Sequence, residues 1–593
     1  MRHTTVRAIA HEVNTGTRSA EQVARETLER AAAYDSIQPE AWISRLPIEK
    51  LLERARYIDQ RVAAGESLPL AGVPIAVKDN IDVAGLETTA ACPSFAYRPS
   101  SSAHVIERLL AAGAMVVGKA NMDQFATGLV GTRSPYGSPA CVFNREYVSG
   151  GSSSGSAVLV AAGVVPLALG TDTAGSGRVP AAFNNLVGFK PTRGRWSSRG
   201  VVPACRSLDC VTALTVDAED AALVDSIVAD FDRQDPYARR IPPSAKSHAT
   251  PAHFNFAVPR SEQLRDLAPE ETALFSAAIQ RLRDSGGTSV EVDVAPLLEA
   301  ARLLYGGPWV AERTAALEPM LKTHPLAIHP VVRAIVEAGK GISAVEAFRG
   351  QYTLQEYARI AEDLWDRVDI LVLPTTPTIY RRSEVLAEPL ALNAHLGLYT
   401  NFVNLLDMSA ISIPSGFRAN RTGVGVSLIG PAWGDKNLLS LAARYTRVAA
   451  MPTAPELDRA PRPSLIPLAV VGAHLSGMPL NWQLTSRNAR LVRATRTAPL
   501  YRLYAMAGQT PPKPALVHTG PDGGAIELEI YELDHTAFGS FVAEVPAPLA
   551  IGTVTLEDGT TVRGFVAEPR ALAGASDITA YGGWRAYLAS RAS

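Results

Sequence analysis

The sequence is poor in cysteine, has almost no net charge and lacks long apolar runs, and each shortage excludes a class of protein. It has four cysteines in 593 residues and no C-x-x-C pair, which excludes a disulfide framework and a zinc ribbon and predicts a reduced, cytoplasmic protein. The net charge of −1 indicates no nucleic-acid surface. The longest apolar run, 157–169, is too short to span a bilayer, and the first residues lack the apolar segment of a signal peptide, so we expect neither membrane insertion nor secretion.

Short apolar strands alternate with helices over most of the chain, which is typical of an α/β fold. Helical periodicity covers 18–34, and 72–80 is predicted to be a buried strand that ends in charge. A Gly-rich loop at 150–156 is followed by an apolar helix at 157–163 and a strand at 164–171. No internal repeat and no low-complexity tract interrupts this pattern.

The chain is longer than one ordinary domain, and a proline-rich segment at 451–467 is the best boundary. Its five prolines favour an extended spacer. We therefore predict a large α/β domain over 1–455, a linker over 456–466 and a small, strand-rich α+β domain over 467–593.

A turn of small residues, GTDTAGSGRVPA at 170–181, places Ser176 between two glycines. Glycine and serine dominate ordinary surface turns, so a simple loop is one interpretation. The other is a nucleophilic serine, which needs a base because its hydroxyl is almost never ionised at neutral pH. Histidine is a poor candidate for that base, since within the first 300 residues only His104 lies near a candidate motif and the G-x-S-x-G elbow is absent. Asp172 and Arg178 flank the serine and are predicted to support the turn.

A lysine can serve as the base where burial favours its neutral amine, and Lys78 follows the apolar strand GVPIAV. The alternative for any lysine is a solvated surface residue. The stretch SGGSSSGSA at 149–157 supplies Ser152, whose hydroxyl can pass a proton between the lysine and a second serine. A phosphate cradle is the other interpretation of this stretch, but it lacks the P-loop lysine and the G-x-G-x-x-G order.

Lys78, the G-G-S-S-S-G-S-A block and the T-D-T-A-G-S-G-R block together resemble the amidase signature family. In that family a relay serine precedes the nucleophile by 24 residues, which is the spacing of Ser152 and Ser176 here. The resemblance implies a mixed central sheet covered by helices, with Ser176 as nucleophile, Ser152 as the cis-peptide relay and Lys78 as base. It also implies an oxyanion hole, a set of preorganised amide donors, formed by Thr173, Ala174, Gly175 and Ser176.

Within the family, the sequence resembles the allophanate hydrolase subgroup. The resemblance rests on TDTAGSGRVPA, on NMDQFATGLVGTRSPYG at 121–137 and on VVGAHLSGMPLNWQL at 470–484. Ser154, Ser156 and Ala174 depart from the commonest family pattern, which puts the subgroup in question more than the chemistry.

The stretch LLYGGPWVAERTAAL at 303–317 resembles the substrate-binding helix of that subgroup. Tyr305 and Arg313 then hold the substrate carboxylate, for which a guanidinium is a forked and permanently charged partner. Gly128 aligns with a backbone contact to substrate. Without the resemblance, Arg313 is a solvated helix residue, Tyr305 the edge of a core and Gly128 a helix stop.

His474 lies between a predicted buried strand at 467–471 and a Gly-Met-Pro turn. One interpretation is a strand end with a satisfied histidine. The resemblance implies another, in which the C-terminal domain acts on the first product and helps it to lose carbon dioxide.

The resemblance implies a hydrolase of urea or triazine breakdown that attacks the terminal amide of allophanate (urea-1-carboxylate), releases ammonia and resolves an acyl-enzyme with water. No metal or organic cofactor is expected. A homodimer without nucleic-acid or membrane partners is implied, and a urea carboxylase or another pathway enzyme is the candidate partner. The alternatives are a general small-molecule amidase, the amidase subunit of a tRNA-dependent amidotransferase, and a non-catalytic scaffold, which would need none of the three site residues.

Overall fold

A mixed sheet of 11 strands organises the part of the chain before residue 431 in the computed structural model, which describes residues 4–246, 252–448, 453–459 and 465–592. Its strands are β1 (Trp42–Arg45), β2 (Pro74–Lys78), β3 (Met115–Ala120), β4 (Leu167–Asp172), β5 (Val187–Lys190), β6 (Cys210–Thr215), β7 (Phe254–Pro259), β8 (Gly287–Val292), β9 (Ile370–Pro374), β10 (Ser409–Phe417) and β11 (Gly423–Gly430).

The spatial order of the strands is β1-β3-β2-β4-β6-β5-β10-β11-β9-β7-β8. Strand β2 runs parallel to both of its neighbours, β3 and β4. The strands from β4 through β6, β5, β10 and β11 to β9 are antiparallel, and β9, β7 and β8 are parallel again. This confirms the predicted mixed sheet. Its centre is buried on both faces, and side chains that end β2 and β4 therefore point into a dry interior.

Helices cover both faces of this sheet through their apolar sides. They are α1 (Val6–Asn14), α2 (Ala20–Asp35), α3 (Ile48–Ala63), α4 (His104–Ala111), α5 (Ser154–Ala161), α6 (Arg178–Phe183), α7 (Ala218–Val228), α8 (Pro269–Asp284), α9 (Ala295–Gly306), α10 (Trp309–Thr323), α11 (Pro330–Ala338), α12 (Ala344–Trp365), α13 (Arg382–Ala387), α14 (Ala391–Leu396), α15 (Asn401–Leu405) and α16 (Asp435–Val448). The predicted helix at 18–34 is α2, which begins with a capping box between Ser19 and Gln22. None of the helices in the described ranges is long and apolar enough to cross a membrane.

Helix α5 begins at Ser154, so the predicted loop at 150–156 is wrong over its last three residues, and the predicted helix at 157–163 ends early, at Ala161. The reason is tertiary packing. Every residue of α5 is buried, and a Cβ on Gly155 would stand 2.5 Å from the amide nitrogen of Asn121. The small residues thus allow a close helix-to-sheet approach rather than a turn.

The strands after residue 465 form two smaller sheets, one of five strands in the order β13-β16-β12-β18-β17 and one of three in the order β15-β14-β19. The strands are β12 (Ile466–Val470), β13 (Arg490–Arg496), β14 (Tyr501–Ala505), β15 (Pro514–His518), β16 (Glu527–Leu533), β17 (Leu549–Thr555), β18 (Thr561–Ala567) and β19 (Ser576–Asp577), and the helices are α17 (Trp482–Thr485), α18 (His535–Ala543) and α19 (Trp584–Ala592). The predicted strand-rich C-terminal architecture is confirmed. It contacts the large-sheet region directly, since the Leu491 amide donates to the Pro135 carbonyl at 2.9 Å.

The predicted linker at 456–466 is described only in part, because residues 460–464 lie outside the described residues. The part before them packs against the large-sheet region, where the Asp458 amide donates to the Val142 carbonyl at 2.8 Å. The boundaries at 1–455 and 467–593 stay predictions.

Candidate active site

Lys78 is the last residue of β2 and its side chain is fully buried. Strand β4 runs parallel beside it, with Val77 opposite Leu169, so Thr171 ends up next to the lysine. Lys78 Nζ donates to Thr171 Oγ1 at 2.7 Å and to Ser152 Oγ at 2.7 Å. The parallel pairing of the two strands therefore delivers an amine to the Gly-rich stretch.

Burial lowers the pKa of Lys78 to about 7, because a charged amine is costly in a dry interior. The carboxylates of Asp123, Asp209 and Asp172 act in the opposite direction but do not outweigh the burial. A large share of the lysine is then neutral near pH 7 and able to accept a proton.

Ser152 follows a cis peptide bond, Gly151–Ser152. No larger residue fits before it, since a Cβ on Gly151 would overlap the Asp123 carboxylate and stand 2.6 Å from the Gly131 amide nitrogen. The Ser152 carbonyl accepts from the Asp123 amide at 3.1 Å. Ser152 is thus locked between Lys78 and the segment that follows Asp123.

The turn after β4 carries Ser176, which is 2% exposed. Its hydroxyl donates to the Gly128 carbonyl at 3.4 Å, a long bond, and its own carbonyl accepts from the Ser153 amide at 3.3 Å. The two serine stretches and the segment at Gly128 therefore meet at one point.

A buried ion pair holds this turn. Arg178 Nε and Nη2 donate to the two carboxylate oxygens of Asp172 at 2.9 and 3.0 Å, and both side chains are fully buried. Burial alone would raise the pKa of Asp172, but the Arg178 charge and hydrogen bonds outweigh it and hold that pKa below its usual value. Asn404 Nδ2 donates to the Asp172 carbonyl at 2.8 Å, and the predicted supporting role of the flanking pair fits these contacts.

The turn presents several backbone amides. The Gly175 amide donates to Asp172 Oδ1 at 2.8 Å, so this member of the predicted donor set is bonded inside the turn. Across the part of the chain that the structure describes, no hydrogen bond uses the amides of Thr173, Ala174 or Ser176. Three amides remain for an incoming oxygen.

Arg313 lies in α10 and is 1% exposed. Its Nη2 donates to the Tyr305 hydroxyl at 3.5 Å, its guanidinium carbon lies 5.0 Å from the Tyr305 ring centre, and its Nη1 donates to Thr127 Oγ1 at 3.4 Å. Its Nε has no partner, and within the described ranges no carboxylate lies within 4 Å of it. The structure therefore brings Tyr305 and Arg313 together around a buried cation that makes no ion pair within the described ranges, although the carboxylates of Asp209 and Glu312 lie within electrostatic range of it.

Gly128 connects Arg313 with Ser176. It directly follows Thr127, whose hydroxyl accepts from Arg313, and the Gly128 carbonyl accepts from the Ser176 hydroxyl. Its φ of +154° and the position of Asp123, 2.6 Å from where a Cβ would stand, both require glycine. Asp123 accepts from the amides of Val130 and Gly131 at 3.2 and 3.0 Å.

Sequence reasoning missed Thr171, the second partner of Lys78, and Asp123, which folds the segment behind the site. Thr171 was predictable from the sequence, since it is the last residue of the predicted strand at 164–171, which precedes the serine turn. Asp123 had none, because its role depends on contacts seen only in three dimensions.

His474 lies in the wall of a cavity of about 140 Å³ in the C-terminal region, and none of the residues above lines this cavity. Its ring stacks on Phe565 at 5.0 Å and its Nε2 hydrogen bonds with Gln483 Oε1 at 2.8 Å. Burial lowers the pKa of His474 to about 4, so the ring is neutral near pH 7. Lys513 and Glu544 are charged residues of an otherwise mostly apolar lining.

In the residues that the structure covers, no group of three or more His, Cys, Asp or Glu side chains is arranged to hold a metal ion.

Two family matches cover most of the chain. Residues 22–439 match the Amidase family and residues 466–589 match the family described as allophanate hydrolase C-terminal domain. The second match contains β12 and His474, and the first contains the residues around Ser176.

Solved and curated relatives agree with these matches. An allophanate hydrolase of Kluyveromyces lactis with a solved structure is 41% identical, with 99% of each chain covered and a TM-score of 0.70. A urea amidolyase of Saccharomyces cerevisiae is 44% identical over 96% of this chain, which spans 32% of that protein's length. A glutamyl-tRNA(Gln) amidotransferase subunit of Symbiobacterium thermophilum is 37% identical over 73% of this chain and 94% of its own.

Proposed function

This chain belongs to the amidase family and carries an allophanate hydrolase C-terminal domain, and from this premise we propose that it hydrolyses the terminal amide of allophanate. The observation that carries the choice of substrate is Arg313, a buried cation that forms no ion pair in the described residues and lies close to the serine turn. A small amide that bears a carboxylate supplies the missing charge. A neutral amide would leave the desolvated guanidinium unpaired.

In the proposed reaction the neutral Lys78 amine accepts a proton from Ser152, and Ser152 accepts one from Ser176. The 2.7 Å contact between Lys78 and Ser152 supports the first transfer. The Ser176 hydroxyl turns from the Gly128 carbonyl toward Ser152 for the second, which costs little because its present bond is long. Ser176 Oγ then attacks the carbonyl carbon of the terminal amide.

The amides of Thr173, Ala174 and Ser176 are proposed to bind the oxygen that becomes negative in this step. Gly175 instead contributes by bonding to Asp172, which fixes the turn. Preorganised donors of this kind lower a barrier by a few kcal/mol, roughly 3 for one donor.

The proton taken from Ser176 is delivered to the leaving nitrogen, the C–N bond breaks and ammonia departs. The remaining acyl group is an ester of Ser176 that still bears the carboxylate. Water attacks this ester and gives a proton to the same Ser152–Lys78 relay, and the relay returns a proton to Ser176 Oγ as its bond to the acyl carbon breaks. The product is a dicarboxylated amine, which decomposes to carbon dioxide and a second ammonia.

The substrate assignment is tested by ammonia release from allophanate and from neutral malonamide. Arg313→Ala should lower kcat/KM for allophanate about tenfold or more, since a charged hydrogen bond contributes about 1.5–3 kcal/mol. The loss on malonamide should stay below about threefold, because that substrate has no carboxylate.

Arg302→Ala is the matched control, since Arg302 is 78% exposed on the neighbouring helix α9. Equal losses of Arg313→Ala on both substrates would remove Arg313 from carboxylate binding. If the unsubstituted protein hydrolyses malonamide as fast as allophanate, it is instead a general amidase.

We further propose that the C-terminal cavity accelerates the loss of carbon dioxide from the first product. An apolar lining favours this step, because it removes water from a carboxylate that must lose its charge. His474 and Gln483 supply hydrogen-bonding groups at its wall, and Lys513 supplies a positive charge.

His474→Ala should leave release of the first ammonia unchanged and slow release of the second roughly tenfold, toward the spontaneous rate. The measurement is a time course of both ammonia phases. His535→Ala, an exposed histidine of α18, is the control. Matching time courses in all three proteins would make His474 structural, the simpler interpretation of its sequence position.

The remaining expectations belong to the same proposal: a cytoplasmic homodimer without a cofactor, divided at 456–466, that receives allophanate from a urea carboxylase. The similarity to urea amidolyase, a protein of which this chain spans about a third, supports the last point.

A further inference from the structure

Five arginine side chains are buried in the described residues, and two of them differ from the rest. Arg178, Arg195 and Arg418 each pair with a buried carboxylate, at 2.9, 2.5 and 2.7 Å. Arg133 and Arg313 are each 1% exposed and form no ion pair within the described ranges, and the Nε of each has no hydrogen-bond partner. Burying a cation without an ion-pair partner is costly, so two such groups in one place call for a reason.

In the described residues the Arg133 guanidinium hydrogen bonds only to backbone oxygens. Its Nη1 donates to the Thr127 carbonyl at 2.9 Å and its Nη2 donates to the Pro389 carbonyl at 2.6 Å. Carbonyl groups fix the orientation of a guanidinium but do not form an ion pair with it. Asp123, the carboxylate with the largest influence on it, accepts from the amides of Val130, Gly131 and Arg133 itself and forms no ion pair with the guanidinium.

Thr127 joins the two cations. Its carbonyl accepts from Arg133 and its hydroxyl accepts from Arg313 at 3.4 Å. Arg133 also lies within electrostatic range of Tyr305, Arg313 and the half-buried His329, and desolvation together with Arg133 lowers the pKa of His329 to about 3. The histidine is therefore neutral and adds no positive charge, and the two arginines are the cations on either side of Thr127.

We propose that Arg133 is a specificity-determining positioning residue, a second positive charge that acts with Arg313 to select amides bearing a carboxylate. It does so through Thr127 and Gly128: it fixes the segment that Arg313 contacts, and its charge adds to the attraction for an anion. The ligand carboxylate supplies the ion-pair partner that neither guanidinium group has among the described residues. This inference rests on the proposed function and adds to it a specificity-determining residue that the sequence motifs do not indicate.

The test measures ligand binding rather than turnover. In a Ser176→Ala background, which cannot consume ligand, Kd is measured by calorimetry for malonamate, a stable anionic isostere of allophanate, and for neutral malonamide. Adding Arg133→Gln should weaken malonamate binding about tenfold, the scale of one charged contact, and malonamide binding less than about twofold. Adding Arg133→Lys, which keeps the charge, should hold the preference for malonamate within about threefold of the parent.

Three results would overturn the inference. If Arg133→Gln weakens the binding of malonamate and malonamide equally, Arg133 only shapes the segment at Thr127 and Gly128. If Arg133→Gln keeps the full preference for malonamate over malonamide, the charge of Arg133 is irrelevant. A parent protein without any preference for malonamate would overturn the anion site itself, and with it the proposed substrate. Circular dichroism checks the fold of each variant, and Arg133→Met, which is apolar and fits a buried position, replaces Arg133→Gln if the latter does not fold.

Discussion

Ser176→Ala should lower kcat/KM for allophanate by at least about 10⁴-fold, because the reaction then has no oxygen to form the acyl-enzyme. The fold should be nearly unchanged. The hydroxyl makes a single long hydrogen bond, at 3.4 Å to Gly128, and its removal leaves no charge and only a small void. Ammonia release gives the rate, and thermal unfolding gives the stability.

Ser226→Ala is the matched control, since Ser226 is an exposed serine of α7 and its loss should change neither quantity. Substantial turnover by Ser176→Ala would refute the covalent route and the whole assignment of this turn.

Lys78→Met should lower kcat at least about a hundredfold, the usual contribution of a general base, and should remove the pH dependence around neutrality. In the intact enzyme the rate should rise between about pH 6 and 8, because the pKa of Lys78 is about 7 and only the neutral amine accepts a proton. The measurement is a pH profile of kcat. Ser152→Ala should lose a comparable factor, since it breaks the same relay.

The same lysine should make stability depend on pH in a predictable direction. An unfolded lysine has a pKa of about 10.4, and folding lowers it to about 7, so between these values the unfolded chain binds more protons and the Lys78 contribution to unfolding free energy rises with pH. Below about pH 7 Lys78 is charged in both the folded and the unfolded chain, so the full free-energy cost of burying its charge is present. Lys78→Met should therefore have a higher Tm than the intact chain at pH 7, with the difference narrowing toward pH 10.

Two variants separate this effect from others. Ser152→Ala should lose activity but keep the pH dependence of stability, and Lys322→Met, an exposed lysine of α10, should change neither. A Tm of Lys78→Met that runs parallel to that of the intact chain at every pH would mean that Lys78 is not neutral in the folded protein.

The local sequence pattern predicts the individual elements well but not their order in the sheet. The apolar runs that became β2, β4 and β10 are evident from hydrophobicity alone. The insertion of β5 and β6 between β4 and β10 is not, because it depends on pairing between residues more than 200 positions apart. Helix α5 shows the same limit on a smaller scale, since burial overrides the turn preference of its glycine and serines.

The residues of the site also differ in whether the sequence predicts them. The short serine-rich and glycine-rich stretches predict Lys78, Ser152 and Ser176, because chemistry restricts which residues such stretches contain. Thr171 and Arg133 carry no comparable pattern. An arginine followed by serine and proline is typical of an exposed loop, and only the structure shows that this one is buried and that its guanidinium forms no ion pair in the described residues.

The turn that carries Ser176 is held by residues far later in the chain. Arg178 Nη2 donates to the Thr400 carbonyl at 3.2 Å, and the Thr400 hydroxyl donates to the Ala174 carbonyl at 2.6 Å. During synthesis the three proposed catalytic residues thus leave the ribosome ahead of Thr400, which lies more than 200 residues after Ser176. The Asp172–Arg178 pair can hold the turn locally, but the contacts from Thr400 and Asn404 that complete it form only when α15 packs against it. The growing chain therefore carries no complete site until most of the large sheet has been made.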